Sequence, residues 1–326
     1  TYSDKKTLID LLYYYKSIVY MPNTNNRNTR KFKSMNCNPK NKNKTISNKS
    51  CFTKSAILTV IKSYNKHHSS SINTSLPPSK LWGELKNKLK DCDKEDCWLK
   101  TIKENTIRKK LDEELFAPDQ PSEWKENPSA WLSNYDILNV LKQHEEADNT
   151  FKFIGPTPID FDSKPYNDNT CVWKDLCTFQ LQKHINNGIT KIGVVFNLDE
   201  HDEPGSHWTS LFIDLKQHFI FYLDSAGSKM PSEVETLVKR IVNQGLYLKC
   251  SPIKFTFYEN HSTITHQKGD NECGMYSLYF IITMLTNKAS NRKKPFKNLQ
   301  DKLDYFLKER IPDKFVFQKR KEYFNV

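Results

Sequence analysis

From Gly274 to Leu285 the chain reads Gly-Met-Tyr-Ser-Leu-Tyr-Phe-Ile-Ile-Thr-Met-Leu, without a proline and apolar around most of a helical circumference. A helix of this kind needs cover on several sides, and it is too short to cross a bilayer, which takes about 20 apolar residues. No other run in the chain is long enough, so no transmembrane helix is expected. Two upstream runs, Leu211-Phe212-Ile213 and Phe219-Ile220-Phe221-Tyr222-Leu223, read as neighbouring antiparallel strands joined by a turn near Lys216-Gln217. The expected fold is α+β, a mixed and mostly antiparallel sheet with the apolar helix packed against it.

Reactive side chains stand at the ends of these elements. His207 precedes the first strand in Gly-Ser-His-Trp, Asp224 ends the second, and Cys273 opens the helix. Gln267 lies six residues before Cys273 in His-Gln-Lys-Gly-Asp-Asn-Glu-Cys-Gly. A thiol is mostly protonated at neutral pH, and a neighbouring imidazole or a helix N-terminus favours the nucleophilic thiolate. The imidazole needs a partner that fixes its tautomer, and Asp224 suits that role because neighbouring strands lie about 4.8 Å apart. Gln267 offers an amide N–H to a developing oxyanion beside the backbone N–H of Cys273. Asp270 or Asn271 is expected to cap the helix. Singly, each residue has an ordinary reading: a surface histidine, an Asp-Ser-Ala-Gly turn, a small buried thiol. Their joint order and spacing are those of a thiol hydrolase.

This constellation resembles the Ulp1-type cysteine proteases, whose fold is shared by SUMO-deconjugating and adenovirus-type enzymes. The resemblance implies a papain-like core in which His207 is the base, Asp224 its orienter, Gln267 part of the oxyanion hole and Cys273 the nucleophile. Trp131-Leu132-Ser133-Asn134-Tyr135-Asp136 is similar to the family's upstream box, with one residue inserted before Asn134 and Asp136. By the same resemblance Trp131 and Trp208 roof a substrate tunnel that admits only small residues, such as Gly-Gly, before the scissile bond; the alternative is two core aromatics. Cys92 to Trp98, Leu111 to Pro118, Phe151 to Asp162, His207 to Asp214 and His266 to Phe280 are similar to the polyprotein maturation proteases of large DNA viruses, African swine fever virus among them. That viral type carries Asn where this chain has Asp224. The implied activity is an endopeptidase cutting Gly-Gly-type sites in viral structural polyproteins during virion maturation. The alternatives are a deubiquitinating or deSUMOylating isopeptidase of the same fold, or an inactive scaffold.

Eight cysteines without a dense framework, one of them a working thiol, favour a reducing compartment, here the virion and the host cell cytoplasm. Cys37, Cys51, Cys92 and Cys97 fit no strong zinc spacing and are read, with Cys171 and Cys177, as buried structural thiols; no metal or other cofactor is expected. The net charge of +12 leaves a weak, salt-sensitive contact with nucleic acid open, against the alternative of a solvated Lys-rich surface. The start carries no secretory pattern, and it opens on Thr1 rather than Met, as when an initial segment is missing.

Helices are expected over 4–20, over 53–65, after a Ser79 cap, from Ser133 to about Glu146, over 178–187, 231–244 and 273–286, and once or twice in the last forty residues. Strands are expected at 151–154, 157–161, 191–197, 207–213, 218–223 and 253–258. Residues 22–50 read as a long Asn/Lys/Ser loop. The turn-rich Ala117-Pro118-Asp119-Gln120-Pro121 divides a helical docking domain, 1–116, from a protease domain, 117–326.

Overall fold

The computed structural model describes residues 31–165 and 169–326. The helix expected over 4–20 lies outside them. Five strands, β1 (Phe151–Pro158), β2 (Lys191–Asn197), β3 (Trp208–Asp214), β4 (Phe219–Leu223) and β5 (Thr256–Glu259), form one sheet in the order 1-2-3-4-5. It is mixed, as expected, but evenly so. The central pairs β2/β3 and β3/β4 are antiparallel, and the outer pairs β1/β2 and β4/β5 are parallel. The outer pairings follow crossovers that the local pattern of alternation does not reveal.

Strands β3 and β4 are apolar at nearly every position, which calls for cover on both faces. Side chains alternate across a strand. Phe212, Phe219, Phe221 and Leu223 therefore enter one core, and Leu211, Ile213, Ile220 and Tyr222 enter the other. The first core is closed by the helix Asn134–Ala147 and by the apolar helix Cys273–Thr286, whose residues are buried from Cys273 through Leu285. The second is closed by the amphipathic helix Ser232–Leu246, through Val234, Leu237 and Ile241, and by the short helix Leu181–Asn186.

Several expectations need correction. The two strands expected at 151–154 and 157–161 are one strand, with a register shift between Ile154 and Thr157 where Pro156 has no N–H to offer. The helix expected over 178–187 is two short ones, Lys174–Cys177 and Leu181–Asn186. Ser79 does not cap its helix, which begins at Pro78 after Pro77 and has no side-chain cap. The last forty residues form three short helices, Leu299–Leu307, Asp313–Gln318 and Arg320–Tyr323. By contrast, Ser133 caps its helix in a capping box with Asp136, and Thr53 caps Lys54–His67.

The cysteine reading is overturned. Cys37–Cys51, Cys92–Cys97 and Cys171–Cys177 are disulfides, with Cα separations of 5.0, 5.6 and 6.4 Å, and only Cys250 and Cys273 are free thiols. Spacing does not say which thiols the fold brings together. The Asn-rich segment is also no solvated linker over its described part. The Asn38 amide donates to Glu113 O at 2.9 Å, satisfying a carbonyl in the last turn of the helix Asn105–Leu115.

Residues between Phe32 and Phe116 have a core of their own, built on Phe52, Ile57, Ile61, Leu85 and Trp98. The turn-rich segment after it is pinned by the chain's C-terminal end. Asn325 accepts from Asn36 N at 2.8 Å and donates to Ala117 O at 2.8 Å, while its backbone pairs with Pro118 and Gln120. Among the described residues no helix is long and apolar enough to cross a membrane.

Candidate active site

The strand register brings His207, just before β3, beside Asp224, just after β4, because Ser210 pairs with Leu223. His207 Nε2 lies 2.6 Å from Asp224 Oδ1. The Cys273 thiol is close enough to the imidazole to bear on its protonation. Cys273 is the first residue of its helix and 2% exposed. The thiol, imidazole and carboxylate expected from the sequence are therefore brought together, with the imidazole and the carboxylate hydrogen-bonded.

Asp224 is 1% exposed and held from several directions. Its Oδ1 also accepts from Ala226 N at 2.9 Å, and its Oδ2 accepts from Ser228 N at 3.1 Å. Burial alone would raise its pKa, but the imidazole and these N–H groups outweigh burial and hold it below the usual carboxylate range. For His207 burial acts downward, yet the hydrogen bonds to Asp224 and Cys273 and their charges prevail and raise it to about 10. The imidazole is thus held protonated at neutral pH.

Two elements set this geometry. Asn260, fully buried, accepts from Asp224 N at 2.9 Å and donates to Asp224 O at 2.6 Å, fixing the backbone of the orienting residue. Gly274 lets the helix start come close to its neighbours: a Cβ there would sit 3.2 Å from both Leu132 Cβ and Trp208 Cδ1. The expected cap is absent. Glu272 is the N-cap residue and makes no side-chain cap, while Asn271 Oδ1 accepts from Trp131 Nε1 at 3.1 Å.

Gln267 is 8% exposed, and its amide is held at both ends, by Ser225 and by Gly269. Trp131 and Trp208 line a common cleft of about 1100 Å³ that also takes in Gly205, two residues before His207. Trp131 is half exposed on it; Trp208 is nearly buried and donates from Nε1 to Leu132 O at 3.1 Å. Asp136 is spent on the capping box with Ser133, and Asn134 begins the same helix.

One residue with a large part in the site gave no sequence signal. Arg320 is 4% exposed at its side chain and pairs with Glu272, the residue before Cys273, at 3.0 Å. The same guanidinium donates to Pro128 O at 2.7 Å and Ala130 O at 3.0 Å, and it stacks 4.3 Å from the Trp124 ring. It thus ties the loop before Trp131 to the start of the Cys273 helix.

His266 does similar work behind Gln267. Its Nε2 donates to Phe306 O at 2.9 Å and its Nδ1 accepts from Ile311 N at 3.1 Å, an arrangement available only to the neutral ring. Burial, aided by Arg310 and opposed by the Phe306 carbonyl, pushes its pKa from 6.5 down to about 4. The unfolded chain binds this proton more readily. The contribution to stability is therefore present above the unfolded value and is lost as pH falls toward the folded one, on the order of 3 kcal/mol in all. In thermal unfolding the advantage of the wild type over His266→Gln should shrink between about pH 7 and about pH 4.5. An advantage independent of pH would mean that the ring is not held neutral.

A mixed sheet carrying a hydrogen-bonded His207–Asp224 pair, with the Cys273 thiol at a helix N-terminus, has the arrangement of a cysteine protease. Residues 189–315 match the Ulp1 protease family, C-terminal catalytic domain, and this part of the chain is a Ulp1-like cysteine protease domain. It is similar to a thiol protease of Acanthamoeba polyphaga mimivirus, with 27% identity over 81% of this chain and 86% of that protein. It is also similar to a cysteine protease of African swine fever virus, with 26% identity over 72% of this chain and 84% of that protein. A crystal structure of the African swine fever virus protease superposes with a TM-score of 0.55, at 20% identity, over 92% of this chain and 98% of that one.

Replacing Asp224 by Asn tests the orienting role. Asn keeps an oxygen for His207 and Ala226 but presents an amino group to Ser228 N–H and removes the charge. We expect a loss of about tenfold in kcat/KM, against 10³-fold or more, roughly, for His207→Ala. Equal losses in the two variants would show that the charge of Asp224, rather than its hydrogen bond, is what counts.

Proposed function

We propose that this protease is an endopeptidase that cleaves after Gly-Gly-type sites in viral structural polyproteins during virion maturation. The observation that carries the reading is Cys273 at a helix N-terminus with the hydrogen-bonded pair of His207 and Asp224, beside a cleft lined by two tryptophans, in a chain whose relatives are proteases of large DNA viruses. Cys273 Sγ attacks the scissile carbonyl carbon. The oxyanion is met by the Gln267 amide and by the Cys273 N–H, one of the first N–H groups of a helix, which have no partner within it. The tetrahedral intermediate collapses as His207 gives its proton to the leaving amine, and a thioester remains. His207, now neutral, takes a proton from water, whose oxygen attacks the thioester; the acid product leaves and the thiolate–imidazolium pair returns.

Trp131 and Trp208 act as the walls of the substrate passage. An extended chain passing between two indoles keeps its backbone close to both, which leaves room only for glycine or another small residue. Residues 1–116 serve as a docking domain for substrate or particle. The proposed place of action is the virion and the host cell cytoplasm. A working thiol is kept reduced in the cytoplasm, and disulfides persist in the oxidising surroundings that a released particle meets. Any contact of the basic surface with nucleic acid would be weak and salt-sensitive.

The test offers three substrates in parallel: a polyprotein segment with Gly-Gly-x sites, a SUMO fusion and a ubiquitin fusion. Cleavage of the polyprotein segment at Gly-Gly-x, with kcat/KM at least about 100-fold above either fusion, supports the maturation reading. Preference for a fusion would make the enzyme a deconjugase. No cleavage of any, with Cys273 reduced, would leave an inactive scaffold.

A further inference from the structure

We propose that Ser225 is a positioning residue for oxyanion stabilisation: its hydroxyl fixes the Gln267 amide so that one defined N–H is left for the reacting oxygen. This rests on reading Gln267 as the oxyanion donor. Ser225 follows Asp224 directly and is 1% exposed. Its Oγ donates to Gln267 Oε1 at 2.7 Å. Its carbonyl accepts from His266 N at 3.0 Å and from Gln267 N at 2.8 Å. One residue thus joins the loop of the orienting carboxylate to the loop of the oxyanion donor, through both backbone and side chain.

The amide orientation follows from the chemistry of its two neighbours. Gln267 Nε2 donates to Gly269 O at 2.6 Å. A carbonyl only accepts, so the amide nitrogen is the end that faces Gly269. The oxygen then faces Ser225, whose hydroxyl must donate. An amide nitrogen carries two N–H groups, and Gly269 takes one. With the oxygen pinned by Ser225, the second N–H has a set direction. The terminal torsion of a glutamine is otherwise broad and roughly two-fold. Without the hydroxyl the amide is held at one end only, and Oε1 is a buried acceptor without that partner. Rotation would then turn the oxygen toward the developing negative charge.

The experiment uses the full chain, a Gly-Gly-x peptide, and the variants Ser225→Ala, Gln267→Ala and the double variant. Gln267→Ala should lower kcat by about 10²–10³-fold. Ser225→Ala should lower kcat by about five- to tenfold with KM within about twofold of wild type. In the double variant kcat should match Gln267→Ala within about twofold, because Ser225 acts only through that amide. Alkylation of Cys273 by iodoacetamide should proceed at the wild-type rate in all three, since the thiol–imidazole pair is untouched. If Ser225→Ala multiplies the loss in the Gln267→Ala background, changes KM alone, slows alkylation or has no effect, the positioning role is wrong while the oxyanion reading stands. A wild-type kcat in Gln267→Ala would instead remove the oxyanion reading and this inference with it.

Discussion

Cys273→Ala is expected to lower turnover of a Gly-Gly-x peptide by at least about 10⁴-fold, while the unfolding temperature stays within about 3 °C of wild type. The sulfur lies at the first residue of its helix, near an imidazole whose pKa is raised to about 10. No other free thiol among the described residues is near this arrangement: Cys250 is exposed and follows the helix Ser232–Leu246. Alanine keeps the backbone and leaves the close approach of Gly274 to Leu132 and Trp208 as it is. The change therefore removes the reacting atom and little else, and turnover and stability should separate cleanly. Turnover near the wild-type level in purified Cys273→Ala would place the chemistry elsewhere in the molecule.

Arg320→Met should be the most damaging substitution for stability. It leaves Glu272, 7% exposed at its side chain, as a buried carboxylate without its partner, and it takes a donor from the carbonyls of Pro128 and Ala130, the second of which keeps Trp124 Nε1. Breaking a buried pair from one side costs about 3–5 kcal/mol, or a fall of roughly 10 °C in Tm for a chain of this size. The double variant Arg320→Met/Glu272→Met removes both charges and should recover part of the loss. Thermal unfolding of the three proteins decides the matter. A single variant as stable as wild type, or a double variant less stable than the single, would show that the pair does not hold these segments together. Activity should fall with Arg320→Met as well, because the guanidinium links the Trp131 loop to the residue preceding the nucleophile.

The parts of the site legible in the sequence were those anchored to regular elements. His207 and Asp224 could be placed at facing strand ends because two apolar runs with a turn between them allow little but a hairpin. Cys273 could be placed at a helix start because the apolar run begins right after it. What escaped was set by contacts between distant segments. Asn260 and Arg320 stand in stretches with no local signal, and their roles arise only when the fold brings them to Asp224 and Glu272. The cap expected from Asp270 or Asn271 failed for a related reason: the Asn271 amide oxygen is engaged by Trp131, remote in sequence. The disulfides were misread because spacing alone does not tell which cysteines meet. The pairing of Asp119 with Asn325, at the Ala117–Pro121 segment, was likewise illegible, because nothing nearby in sequence points to it.

The most direct test of the central claim is intact-protein mass spectrometry after exposure to a short peptide ending in Gly-Gly and bearing a thiol-reactive electrophile in place of the scissile carbonyl. A single covalent addition is expected, mapped by proteolysis to Cys273, lost in His207→Ala and unaffected by Cys250→Ser. Addition at Cys250 in preference to Cys273, or labelling of Cys273 that is as fast in His207→Ala as in the wild type, would contradict it.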